Sequence, residues 1–141
     1  MSQQHEPGNP SAETLRVANL SKLEHRELRS TKTGEAFSLS AVLTEALGIG
    51  SFFVHHDVIP PGRRASATHF HTSLDEIVVV LSGRVRAWHA GREVELGEGD
   101  VIAFPAGPDH AHHVANDGPG PASILVIASH APDDTAVSVP G

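Results

Sequence analysis

A chain of 141 residues is long enough for one hydrophobic core and too short for two, so a single domain is expected. Its 10 Lys+Arg against 17 Asp+Glu give a formal charge of -7, which argues against a nucleic-acid backbone as partner. The lack of cysteine excludes disulfides, zinc–thiolate sites and thiol nucleophiles, and no apolar run approaches the ~20 residues that span a bilayer.

Along the chain, residues 1–14 (MSQQHEPGNPSAET) are polar and rich in turn formers, and read as a disordered tail. They lack the charged-then-apolar pattern of a signal peptide, which makes the cytoplasm the default expectation. LSKLEHREL (20–28) and LTEALGIG (43–50) each read as a turn of helix. The remainder is a series of short β-forming runs: 35–43, 51–59, 67–71, 76–82, 84–89, 92–96, 100–105, 112–116 and 122–129. Turn residues separate them, at Pro60-Pro61-Gly62, Gly83, Ala90-Gly91, Gly97 to Asp100 and Asp117 to Gly120. Strands repeating at ~8–12 residues without long helical periods predict an all-β sandwich or barrel over 15–130. Residues 131–141 form either a tail or an edge strand built on Val137 and Val139.

Two runs, EIVVVL and ASILVIA, are apolar without alternation. A strand between core and water alternates, so these need cover on both faces. In so short a chain the second cover is another subunit, and a homodimer is expected.

Histidine is the unusual component: there are 11, alongside no tyrosine. His69 and His71 lie two apart in a strand and share one face. Glu76 opens the next strand after a four-residue turn and returns beside them. Two imidazoles and a carboxylate on adjoining strands form a facial set suited to divalent first-row metals. A fourth ligand is available from His110 or His112, which share parity, while His113 faces away. Asp75 is an alternative to Glu76. One ring of His55 and His56 must point inward, either packing or touching substrate. Arg63 and Arg64 either hold an anionic substrate or lie in a solvated loop. His5, His25, His89 and His130 read as surface or satisfied core residues.

These residues resemble the cupins, a family of small β-barrels. The family's first motif joins a glycine, an HxH pair, a glutamate and a closing glycine. Here Gly62 is followed by six residues, His69-x-His71, four residues, Glu76, six residues and Gly83, one residue longer after Gly62 than the family pattern. The step from Glu76 to Gly83 favours Glu76 over Asp75. The second motif begins at Gly99 and continues through Pro105-Ala106-Gly107. Beyond it, His110 has the family's spacing from Gly107 but Val114 stands where asparagine belongs. His112 has Asn116 in the right place but comes two residues late.

The resemblance implies a single cupin barrel (a double-stranded β-helix, or jelly roll). It implies one divalent transition ion held by His69, His71, Glu76 and His112, with His110 the alternative fourth ligand. Fe or Mn is the first expectation, and Zn, Ni and Cu are the alternatives. The candidate proton carriers near the metal are His110, Glu76, Asp75 and one of His55 and His56, with His110 and Glu76 the first choice as catalytic residues acting on a small-molecule substrate. The implied activity is a dioxygenase-type oxidation of an enolisable or hydroxylated compound. Its alternatives are a non-redox isomerase, lyase or cyclase, and a metal- and ligand-binding protein without turnover. Without tyrosine, mechanisms that need a phenol as acid or base are excluded.

Overall fold

The structure is a computed structural model that describes residues 15–141, so the expected N-terminal tail lies outside the described residues. Its strands are β1 (Arg26–Arg29), β2 (Ala36–Val42), β3 (Phe52–Ile59), β4 (His69–His71), β5 (Glu76–Ser82) and β6 (Val85–His89). They continue with β7 (Arg92–Leu96), β8 (Val101–Phe104), β9 (His112–Ala115), β10 (Ala122–Ser129) and β11 (Ala136–Ser138). One short helix, α1 (Leu43–Leu47), follows β2 and stops at Gly48, whose φ of 68° is a left-handed cap. Two sheets result, one in the order β1-β2-β3-β10-β5-β8 and the other β11-β4-β9-β6-β7. All pairings are antiparallel, as a cupin double-stranded β-helix requires.

Alternation places the core between the sheets. Along β10, Ala122, Ile124, Val126 and Ala128 are buried while Ser123, Leu125 and Ile127 face outward and are half-buried. Along β5, Val78 and Val80 are buried and Ile77 is 38% exposed. Ile59, Val85, Ala87, Leu96, Phe104 and Val114 complete the core. The two runs that lack alternation in sequence therefore use one face each inside the barrel. Their other face is apolar and only partly covered.

Gly83 shows why a motif glycine is needed. Its φ is +76°, and a Cβ there would come within 2.9 Å of Ala122 Cα and Pro121 O. Any side chain adds both left-handed strain and a backbone clash.

One sequence expectation is corrected. LSKLEHREL is not a helical segment: a single turn closes through Lys22 N to Asn19 O at 2.9 Å, and the chain then extends into β1. The run RELR is exposed throughout and pairs on one side with β2. A charged edge strand of this kind resists pairing with another chain, and its charges hid it from pattern reading.

Candidate metal centre

Both sheets contribute to one site. His69 and His71 come from β4 and His112 from β9, in the five-stranded sheet, while Glu76 opens β5 in the other sheet. His69 and His112 are direct ladder partners, which puts their rings 4.7 Å apart. Donor atoms of His69, His71 and Glu76 lie within 4.8 Å of one another. His112 adjoins them, with Nε2 3.1 Å from Glu76 Oε1, and its ring lies flat on Phe104 at 3.8 Å.

The Nδ1 atoms decide what this set can hold. His69 Nδ1 donates to Ala67 O, His71 Nδ1 to Asp134 Oδ2 and His112 Nδ1 to His110 O, each at 2.8 Å. In a neutral imidazole with Nδ1 protonated, Nε2 carries a lone pair. Three such lone pairs and a carboxylate therefore form a cluster of acceptors only. His71 Nε2 lies 3.6 Å from Glu76 Oε2, and His112 Nε2 is closer still to Oε1. Acceptors this close repel unless a proton or a cation lies between them, so the donor set fits a divalent metal ion.

The electrostatics agree. With a proton between His112 Nε2 and Glu76 in place of a cation, burial opposes ionisation of Glu76, but the hydrogen bond from His112 and the neighbouring rings hold its carboxyl below the usual carboxylate range. Burial is also the chief cause that lowers His69 below its ordinary value.

The cluster faces a cavity of about 290 Å³. Apolar side chains form most of its wall, among them Leu74, Val78, Phe104, Ile124 and Val126. No Lys or Arg lines it among the described residues. Arg63 is held by Glu27 at 2.8 Å, and Arg64 binds both Glu35 oxygens at 2.9 Å. The arginines near the HxH motif are thus committed outside the cavity.

The remaining sequence candidates fall as follows. His110 sits in a 3-10 turn (Pro108–His110); its ring stacks on His89 with Nδ1 3.0 Å from His89 Nε2, and it is not part of the cavity wall. Its carbonyl, not its ring, meets the cluster. Asp75 accepts from the Ala106 backbone N–H and stays outside the donor group. His113 stacks on Trp88 across the strand from His112. His55 lines the cavity, whereas His56 points outward and is buried against His25, with Nδ1 2.8 Å from His25 Nε2. His5 lies outside the described residues. Asn116 is buried as a clamp on the turn after β9, bonded to Ile59 O, Gly120 O and Gly118 N.

Two functional neighbours escaped the sequence reading. Asp134 sits in a segment with no strong pattern and reaches His71 only through the fold. Asp57 had a signal, since it shares strand parity with His55.

A small antiparallel β-barrel with a histidine–carboxylate cluster between its sheets defines the class of protein. Residues 55–128 match the family model described as Cupin domain, and the chain belongs to the cupins. It is similar to a protein from Acidithiobacillus ferrooxidans provisionally named a sugar phosphate isomerase, at 25% identity and a TM-score of 0.76. That match covers 84% of this chain and 76% of the other. A sugar phosphate isomerase of the cupin superfamily from Silicibacter pomeroyi is 32% identical over 74% of this chain and 66% of its own, with a TM-score of 0.70. A predicted oxalate decarboxylase from Thermotoga maritima shares the fold at 21% identity and a TM-score of 0.69, covering 82% of this chain and 99% of its own. No curated protein matches the chain. No helix among the described residues is long and apolar enough to cross a membrane.

Proposed function

We propose that the protein is a metal-dependent enzyme in which His69, His71, Glu76 and His112 hold one divalent transition ion. The observation that carries this reading is the acceptor-only cluster, with each Nδ1 committed and the Nε2 atoms of His71 and His112 facing Glu76. Such an ion supplies Lewis acidity toward a carbonyl or hydroxyl oxygen. Three neutral rings and one carboxylate leave it net positive, and four ligands leave coordination positions open for substrate.

Among the activities open to such a site, we favour non-redox proton transfer on an enolisable hydroxycarbonyl compound. Two neighbours at 25% identity or more carry isomerase names, which supports that class. Their named substrates are phosphorylated, and here this chain differs. A phosphate entering the cavity meets no side-chain cation among the described residues. We therefore assign an unphosphorylated substrate, one polar end at the metal and an apolar remainder against Phe53, Leu74 and Val126. We also propose that a second copy covers the outer face of the six-stranded sheet, where Ile77 and Val101 are exposed.

The test uses α-hydroxyacetophenone, a neutral aromatic hydroxyketone, as probe. Metal-loaded protein in deuterium oxide should exchange its methylene protons, stripped protein should not, and oxygen uptake should stay at background. Stoichiometric oxygen consumption would replace this reading with the oxidative one.

A further inference from the structure

Away from the donor cluster, the cavity wall holds a second ionisable pair, His55 and Asp57 on β3. Their spacing of two puts both on the inner face of the six-stranded sheet. His55 Nδ1 meets Asp57 Oδ1 at 2.7 Å, and Asp57 Oδ2 accepts from the Ser38 hydroxyl at 3.0 Å. Asp57 is 2% exposed and has no Lys or Arg against it among the described residues. A buried carboxylate is costly without a partner, and the partner here is an imidazole. Since a carboxylate accepts, His55 donates from Nδ1, and its Nε2 keeps a lone pair without a hydrogen-bond partner among the described residues.

The pair stands across the sheet from Glu76. In the ladders His55 is opposite Val126 on β10, which is opposite Val78 on β5, two residues beyond Glu76. With strands ~4.8 Å apart and ~3.4 Å per residue along a strand, two strand steps and two residues put His55 about 12 Å from Glu76 between backbones. Both side chains rise from the same inner face, so a molecule of a few heavy atoms bridges the carboxylate end and the imidazole.

We infer that His55 is the proton-transfer group of this site and that Asp57 is its positioning residue. The inference rests on the metal-dependent reading above. The C–H bond next to the substrate carbonyl breaks, its electron pair becomes the C=C bond as the carbonyl π pair moves onto oxygen, and the proton passes to His55 Nε2. Once the imidazolium has exchanged its proton with solvent, return to the same carbon gives exchange; return to the former carbonyl carbon, as the hydroxyl proton passes to the former carbonyl oxygen, gives the isomer. Asp57 stays ionised, keeps Nδ1 protonated and stabilises the imidazolium while it lasts. No oxidant or reductant is consumed.

Three variants, His55→Gln, His55→Ala and Asp57→Asn, test this in full-length, metal-loaded protein. Metal content, circular dichroism and affinity for benzohydroxamate, a bidentate mimic of an enolised hydroxyketone, serve as controls. Each variant should keep its metal and bind the hydroxamate. Exchange of α-hydroxyacetophenone should fall ~100-fold or more in His55→Gln. In His55→Ala, added imidazole should restore part of the rate. Asp57→Asn should lower kcat with little change in KM, a split that loss of packing alone does not produce. Wild-type exchange in His55→Gln overturns the inference. So does wild-type protein that holds both metal and hydroxamate yet exchanges nothing, an outcome that leaves metal binding standing. Protein that binds no metal overturns the reading and the inference together.

Discussion

His71 donates its Nδ1–H to Asp134 Oδ2 at 2.8 Å, across 63 residues of chain. The other Asp134 oxygen accepts from the backbone of Ser73 and Leu74, so one carboxylate fixes both the ring and the turn leading to Glu76. The surrounding backbone reinforces it, because β11 pairs with all three residues of β4 while β9 pairs with His69 alone. The C-terminal segment is therefore the main support of the HxH strand. Carboxylates behind metal-binding histidines typically contribute 10–100-fold in affinity. Asp134→Ala should weaken Zn(II) binding by about that factor in competition with a chromophoric chelator, and Asp134→Asn by less. Unchanged affinity in Asp134→Ala would show that the ring needs no such partner.

Acidification should destabilise the metal-free protein. Burial is the main cause holding His56, His69, His89 and His113 below their ordinary value of 6.5. As pH falls through that value the unfolded chain takes up protons that the folded chain refuses, so stability falls with pH. Glu76, held below 4.5, adds loss of the same sign at lower pH. Thermal melts in the presence of a chelator should show a Tm that is steady above about pH 7.5 and declines toward pH 5. A Tm that rises over this range contradicts the burial argument.

The outer sheet face predicts self-association. Val101 is 57% exposed and Ile77 38%, beside the half-buried outward side chains of β10. Light scattering should give twice the chain mass. Val101→Lys should weaken the dimer about tenfold or more, by placing a charge in an apolar contact. A wild-type monomer at micromolar concentration would mean that this face stays in water.

The barrel was legible because its strands are cut by Gly and Pro at turns, and because period-two parity carries His69 and His71 to one face. What parity could not supply was contact at long range. Asp134 approaches His71 only once β11 docks, and nothing local in the sequence near Asp134 encodes that. Parity also failed where the strand had not begun. His110 and His112 share a face only if both are extended, but β9 starts at His112 and His110 ends the 3-10 turn before it. The RELR strand was missed for a third reason, since an exposed edge carries no hydrophobic period to read.

That break in parity separates two histidines by role. His112 is 3% exposed, and its ring lies on Phe104 and presents Nε2 to Glu76. The His110 ring turns away to His89, and only its backbone carbonyl touches the centre, accepting from His112 Nδ1. Replacing His110 by Ala keeps that carbonyl, so His110→Ala should retain about one ion per chain by elemental analysis after tag removal. His112→Ala removes an imidazole from the donor set and should lose most of the metal. It also leaves a void against Phe104 that costs about 1–3 kcal/mol, so its fold must be verified by circular dichroism before its metal content is read. Metal lost from His110→Ala and kept by a folded His112→Ala would shift the fourth ligand by two residues and displace His112 from the centre.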